Sequence, residues 1–280
     1  MALLHRPRAL NEALAHLAED GVRAIAGGTD IFPALVDRPS PRAFVDLSAL
    51  PELRGVSCEA QHIRIGAATR WSEIARADLP PALRMLQQAA REIGARQIQN
   101  RATLGGNLCN ASPAADGAPP LLALDSRVEI ASTSGVRSMP LADFLLGNRR
   151  TARGPGEIMT AILVPRAFER AGSAFLKIGA RRYLVISIVM VAALVEADDA
   201  RRIRTARIAV GAASAVAQRL RALERKLVGA ALDADFGALF EDGHFATLAP
   251  IDDVRATAAY RREAARACVA RALAEAASRA

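Results

Sequence analysis

The sequence predicts an α+β protein built in three units, and three observations carry that prediction. The first fifty residues alternate short helical and strand patterns. The middle of the chain continues the alternation around a glycine-rich stretch, and the last third sets three apolar strand-like runs ahead of helices. The expected units are residues 1–57, 58–170 and 171–280. With 280 residues, 51% apolar and 24% charged, the chain is long enough to bury a large core and has the composition of a globular protein.

In the first unit, Leu10, Leu14 and Leu17 share one helical face in residues 8–20, and Gly21 ends that helix. Residues 22–26 form a short strand that runs into Gly27-Gly28. A helix starts at Ile31 and is interrupted by Pro39 and Pro41, and Phe44 to Leu47 is a second strand. The second unit opens with a strand at His62 to Ala67. Helical patterns follow at Trp71 to Ala77 and Ala82 to Ile93, then a strand at Arg127 to Ala131 and a helical turn at Leu141 to Leu145. Its last strand, Glu157 to Val164, is stopped by Pro165. Residues 166–172 are the expected linker. Beyond it, residues 174–179, 185–196 and 202–212 predict a three-stranded antiparallel sheet, its last two strands joined at the turn Ala197-Asp198-Asp199-Ala200. Helices dominate from Ala217 and end in a long one over 257–280.

Composition narrows the function classes. The formal charge is +8, yet the basic residues are arginine except for Lys177 and Lys226 and are scattered, and aromatics are 4% of the chain, so no nucleic-acid footprint emerges. Cys58, Cys109 and Cys268 are far apart and odd in number, which offers neither a disulfide framework nor a metal cluster and fits a reduced, cytoplasmic setting. His5, His16, His62 and His244 are dispersed. The N-terminal segment has no apolar core of the signal-peptide type, and the run from Tyr183 to Val195 is too short for a bilayer. No G-x-G-x-x-G follows a strand, and neither a Walker loop nor a G-x-S-x-G elbow occurs. A site without protein acid–base machinery points to chemistry carried by a cofactor.

Two glycine segments are the candidate cofactor site. Thr103-Leu104-Gly105-Gly106-Asn107 sets two glycines between a hydroxyl and a carboxamide, and Ala26-Gly27-Gly28-Thr29-Asp30 repeats the theme upstream. Glycine lets a ligand approach the backbone closely, and turned amides suit a pyrophosphate. Taken alone, a Gly-Gly pair is more often a tight turn than a phosphate site. Two such segments beside strand-like runs suit one dinucleotide gripped from both sides. Asp116, at the start of the apolar run Pro119 to Leu124, is both a helix-start carboxylate and a partner for a sugar hydroxyl. Lys177 sits among apolar strand neighbours. It is either a snorkelling surface lysine or a cation beside a redox ring.

On AGGTD at 26–30, IGA at 65–67, the stretch IGARQIQNRATLGGNLCNASPAADGAPPLLALD at 93–125, GEI at 156–158 and SAFLKIGARR at 173–182, the chain resembles the FAD-binding medium subunits of the molybdenum hydroxylases, such as xanthine and carbon monoxide dehydrogenases. The resemblance runs in order along nearly the whole chain. It implies a two-part FAD domain of the vanillyl-alcohol-oxidase (PCMH) type followed by a C-terminal α+β domain. It implies that FAD is held by main chain at 26–29 and 103–107 and by Asp116 and Lys177, and that Ile93 and Met159 pack against the cofactor. It also implies a small subunit with [2Fe–2S] clusters and a large molybdopterin-binding subunit as partners. Electrons would pass from flavin to NAD⁺, a quinone or oxygen. The alternative from the same fold is a self-contained flavin reductase. Val185 departs from the family, many members of which carry an acidic residue there, so the acceptor stays open.

Overall fold

The computed structural model of the chain describes residues 3–36 and 41–280. In the first unit β1 (Leu3–His5), α1 (Leu10–Leu17), β2 (Val22–Ile25), α2 (Ile31–Ala34) and β3 (Ala43–Asp46) follow one another. The strands form a parallel sheet in the order β1-β3-β2. Leu14 and Leu17 of α1 are buried in one cluster with Val45 of β3, as the leucine spacing predicts. Strand β1 escapes the sequence because it is a three-residue edge strand whose Leu3 and Leu4 face solvent, so no alternation marks it. Pro39, one of the two expected helix breakers, lies outside the described residues.

The second unit comprises β4 (Val56–Cys58), β5 (His62–Gly66), α3 (Trp71–Ile74), α4 (Arg84–Glu92), α5 (Arg96–Gln99), α6 (Leu104–Asn110), α7 (Ala118–Ala123), β6 (Arg127–Ser132), β7 (Gly135–Pro140), α8 (Leu141–Phe144), the ribbon β8 (Leu145–Gly147) with β9 (Arg150–Thr151), and β10 (Ile158–Pro165). An antiparallel sheet of order β4-β5-β10-β6-β7 backs the helices. Its central strand β10 is buried over Ile158 to Ile162 and breaks register with β6 at a bulge beside Met159. The outer strands β4 and β7 are largely exposed, and neither carries the alternation that would announce it.

The C-terminal unit joins β11 (Gly172–Ile178), β12 (Val189–Ala197), β13 (Ile203–Gly211) and the two-residue β14 (Gln218–Arg219) in one antiparallel sheet. Helix α9 (Arg221–Leu227) and the long α10 (Ala258–Ala277) complete it. The expected turn between β12 and β13 is pinned by Asp198, whose carboxylate accepts from Arg202 N at 2.8 Å. Every residue from Val189 to Val195 is buried because the sheet is covered on both faces. Val191, Ala193 and Val195 belong to the cluster with α10, whereas Ala192 and Leu194 join the core of the second unit. The sheet is thus welded to the second unit rather than hung from a linker. Strand β12 starts at Val189 and not at Val185; residues 179–188 form an irregular segment instead.

Candidate functional site

A large cavity of about 1070 Å³ opens between the units. All thirteen residues singled out from the sequence border it: Ala26, Gly27, Gly28, Thr29 and Asp30; Ile93; Thr103, Gly105, Gly106 and Asn107; Asp116; Met159; and Lys177. Two glycine pairs 78 positions apart (105 − 27) therefore share one cleft.

The Gly27 segment leaves β2 as a loop, with Gly28 at φ +73° in the left-handed region. No amide from Gly27 to Asp30 donates to any acceptor among the described residues, so four N–H groups run along the rim of the cavity. Such a series of unpaired amides around a left-handed residue is an anion nest. A Cβ on Gly27 would overlap the Arg101 carbonyl, so this glycine is what seats the loop against the chain leading into Thr103.

The second glycine pair behaves differently from the turn that the sequence allowed. Thr103 is the N-cap of α6, and Gly105 and Gly106 lie in its first turn without positive φ. The amides there are already engaged. Leu104 donates to the Thr69 carbonyl at 3.0 Å, Gly105 to the Ala67 carbonyl at 2.8 Å and Asn107 to the Thr103 carbonyl at 3.0 Å. Gly106 donates to Thr103 Oγ1 at 3.1 Å. The segment therefore brings no turned amides; it brings space. A Cβ on Gly105 would stand 2.6 Å from Ala67 Cβ, whereas one on Gly106 would meet only Thr103 Oγ1. The exposed Gly106 is a smooth stretch of cavity wall. Asn107 Oδ1 is buried and has no hydrogen-bond partner.

Asp116 does not cap α7, whose N-cap is Gly117 with no side-chain hydrogen bond. Its carboxylate instead accepts from Lys177 Nζ at 2.7 Å and from Ser187 Oγ at 2.6 Å. Lys177 also donates to the Glu92 carbonyl at 3.2 Å. With its side chain only 6% exposed, Lys177 is not the snorkelling surface lysine that its strand setting allowed. Burial raises the Asp116 carboxyl above its ordinary pKa of 3.8, and Lys177 and Ser187 oppose that rise. Ile93, at the end of α4, and Met159, at the β10 bulge, are apolar and nearly buried on the same cavity.

Other groups that line the cavity, or that support its lining as Ser187 does Asp116, were not read from the sequence as site residues. Ser187 is signalled only by being a polar residue within an apolar run. Trp71 belongs to a helical pattern that looks like ordinary core. Arg149 adopts φ +54° and donates to Asn110 Oδ1 at 2.6 Å, and Arg153 donates to the Glu157 carbonyl at 2.8 Å. Glu157 is held below the usual carboxylate range, chiefly by Arg137. Cys109, on α6, is pushed up to about 11 by burial. Leu184, Val185 and Ile186 form an apolar lip contributed by the C-terminal unit.

The lining fits an FAD. An amide nest offers a place for a diphosphate, a Cβ-free wall stands at Gly106, and a buried cation is flanked by apolar side chains. Among the described residues no cluster of His, Cys, Asp and Glu is arranged to hold a metal ion. No helix among them is long and apolar enough to cross a membrane.

Comparison with known proteins agrees. Residues 1–167 match the family described as FAD binding domain in molybdopterin dehydrogenase, and residues 174–276 match the CO dehydrogenase flavoprotein C-terminal domain. The chain is 36% identical to the nicotinate dehydrogenase FAD-subunit of Eubacterium barkeri over 81% of this chain and 79% of that one. It is 33% identical to the 6-hydroxypseudooxynicotine dehydrogenase complex subunit alpha of Paenarthrobacter nicotinovorans over 97% and 93%. Among solved structures, a chain of the carbon monoxide dehydrogenase from Hydrogenophaga pseudoflava superimposes with a TM-score of 0.92 at 28% identity, covering 99% of this chain and 98% of that one. Fold, cavity and sequence relationship converge: the chain belongs to the FAD-binding medium subunits of the molybdenum hydroxylases, the family of the xanthine and carbon monoxide dehydrogenases, and is a flavoprotein subunit of an oxidoreductase.

Proposed function

We propose that this subunit takes electrons from the [2Fe–2S] clusters of a small partner subunit and passes them through FAD to a soluble or membrane-borne acceptor. A large molybdopterin-binding subunit oxidises the organic substrate, and the whole complex works in the cytoplasm. The division into 1–57, 58–170 and 171–280 follows the same logic: the first two units close on the cofactor, and the third supplies Lys177 and the lip. Bound in the cavity, FAD supplies the redox chemistry.

The observation that carries the proposal is the shared cavity itself, with an amide nest at one rim and the Lys177–Asp116 pair in its wall. The amides of Gly27 to Asp30 would hold the diphosphate, and the bare wall at Gly106 would leave room for it, while Gly105 lets α6 sit against Ala67. Thr103 acts indirectly, by capping the helix that carries Asn107. Asn107 and Asp116 serve sugar hydroxyls. Ile93 and Met159 offer apolar surface to the flavin ring, and Lys177 stabilises negative charge that develops on it. Asp116 is already engaged by Lys177 and Ser187. The self-contained reductase, which needs a proton donor of its own, is therefore the weaker reading.

Of NAD⁺, quinone and oxygen, the apolar lip of Leu184, Val185 and Ile186 suits a quinone ring, since a dinucleotide needs polar partners for its ribose and phosphates. The decisive experiment is flavin analysis of the purified chain. Stoichiometric FAD, reducible by a reconstituted iron–sulfur partner, is the expected result. A colourless protein that refuses added FAD would overturn the proposal.

A further inference from the structure

Residues 179–188 run irregularly between β11 and β12, and the end of that segment is held by side chains from elsewhere in the chain. Ser187 is fully buried, and its Oγ donates to Asp116 Oδ1 at 2.6 Å. Its carbonyl accepts from Arg255 Nη1 at 3.2 Å, and the next carbonyl, of Ile188, accepts from Arg261 Nη1 at 2.6 Å. One carboxylate joins the two arginines: Asp253 accepts from Arg261 Nη2 at 2.7 Å and from Arg255 Nε at 3.1 Å. The Asp253 carboxyl is held well below the ordinary range, chiefly by Arg255. Arg261 lies on α10, is 1% exposed and also donates to the Ala212 carbonyl at 3.0 Å, just past β13. Asp253, Arg255 and Arg261 stand outside the cavity lining. Two consecutive carbonyls are thus clamped from the C-terminal unit, and the clamp presents the Ser187 hydroxyl to the cavity-lining Asp116.

We infer that Ser187 and Arg255 are positioning residues of the flavin site: the Ser187 hydroxyl keeps Asp116 ionised as the counter-charge of Lys177, and Arg255 holds Ser187 in place to do so. The inference rests on the proposal that FAD fills the cavity. Asp116 has one donor on each oxygen, Lys177 Nζ on Oδ2 and Ser187 Oγ on Oδ1, a pattern that suits a carboxylate rather than its acid. The charges facing it are Lys177 on β11 and Glu92 at the end of α4. Burial drives the Asp116 carboxyl up, Lys177 and Ser187 oppose that rise, and Glu92 adds to it. Ionised, Asp116 offsets the Lys177 charge in the cavity wall. Protonated, it leaves that charge bare. A bare cation stabilises negative charge on a reduced ring more than a neutral pair does. By keeping the pair neutral, Ser187 holds the reduction potential of a bound flavin down.

The test begins with the full chain stripped of flavin, its isotope-labelled aspartate carboxyl carbons followed by NMR against pH. Asp116→Asn identifies the signal by its disappearance. In Ser187→Ala, Asp116 should titrate about one pH unit higher than in the unaltered chain, the tenfold shift expected when a charged acceptor loses one hydrogen bond. Arg255→Gln should move it the same way by less, and this partly exposed residue carries the test if Ser187→Ala fails to fold. Mere loosening would admit water and favour the carboxylate, moving the titration down instead. In the FAD-loaded chain, at a pH between the two Asp116 titrations, the flavin of Ser187→Ala should have a midpoint potential more positive than that of the unaltered chain. Above both titrations the two potentials should converge. An Asp116 titration that stays put or falls would overturn the inference, as would a difference in potential that is the same at every pH. Failure of the unaltered chain to bind FAD would instead overturn the functional proposal, while the flavin-free titration would still judge Ser187 and Arg255.

Discussion

Lys177 Nζ lies 2.7 Å from Asp116 Oδ2, an ion pair with both side chains less than a tenth exposed that ties the C-terminal sheet to the cofactor unit. It closes the cavity at the point where the two family domains meet. A buried pair of this kind adds little net stability over apolar residues, but removing one partner leaves a charge without compensation.

Replacing Lys177 with Met should therefore destabilise the fold by about 3–5 kcal/mol at neutral pH. The loss is pH-dependent. Burial raises the Asp116 carboxyl above 3.8, and loss of Lys177 removes the main influence opposing that rise. A group with a raised folded pKa favours the fold when protonated, so its penalty is small below 3.8 and grows as pH rises through the folded value. Urea denaturation of Lys177→Met and the unaltered protein, compared from about pH 4 to about pH 8, should show a gap that widens with pH. A gap that narrows would refute this account of the pair.

The glycines should separate into two classes. Gly27→Ala drives a methyl group into the Arg101 carbonyl, and Gly105→Ala drives one against Ala67. Each should cost about 3 kcal/mol or more as overpacking. Gly106→Ala meets only the Thr103 hydroxyl. Its apo stability should stay close to that of the unaltered chain, because alanine improves a helix interior by about 1 kcal/mol over glycine and offsets the displaced hydroxyl. Gly106→Val should then abolish FAD retention in a folded protein. Thermal melts paired with flavin quantitation check both halves.

The cysteines offer a chemical map of the cavity. Cys58 is exposed and Cys268 is buried, while Cys109 lines the cavity with its thiol pushed up to about 11. About three pH units below that value, its thiolate is roughly a thousandth of the population. Iodoacetamide at pH 8 should label Cys58 first, with Cys109 slow and accelerating about tenfold per pH unit. Bound FAD should protect Cys109 and leave Cys58 unaffected, as read by peptide mass mapping.

The lip should tune the acceptor. Ile186→Asp places a charge on the apolar rim without touching the amide nest. Reoxidation of the photoreduced flavin by a short-chain quinone should slow by roughly tenfold, the equivalent of one lost apolar contact, with oxygen reactivity little changed. An unchanged quinone rate would point to another acceptor.

The order of helices and strands was legible because their apolar periodicity is local: Leu10, Leu14 and Leu17 mark α1, and the uninterrupted run beginning at Val189 marks the doubly covered β12. The edge strands β1, β4 and β7 were not, since an exposed edge needs no pattern. The two glycine pairs were legible as a site, and both do border one cavity. What they do there was not. The main-chain state at Gly105-Gly106 depends on acceptors supplied by Ala67 and Thr69, some forty residues away. Likewise, the partners of Asp116 come from Lys177 and Ser187, more than sixty residues further along the chain. The sequence by itself determined which residue types are present and how each segment folds locally, because those rest on neighbours along the chain. The tertiary structure alone decided which amides stay unpaired and which charges are neutralised, because a donor's acceptor is chosen by distance in space.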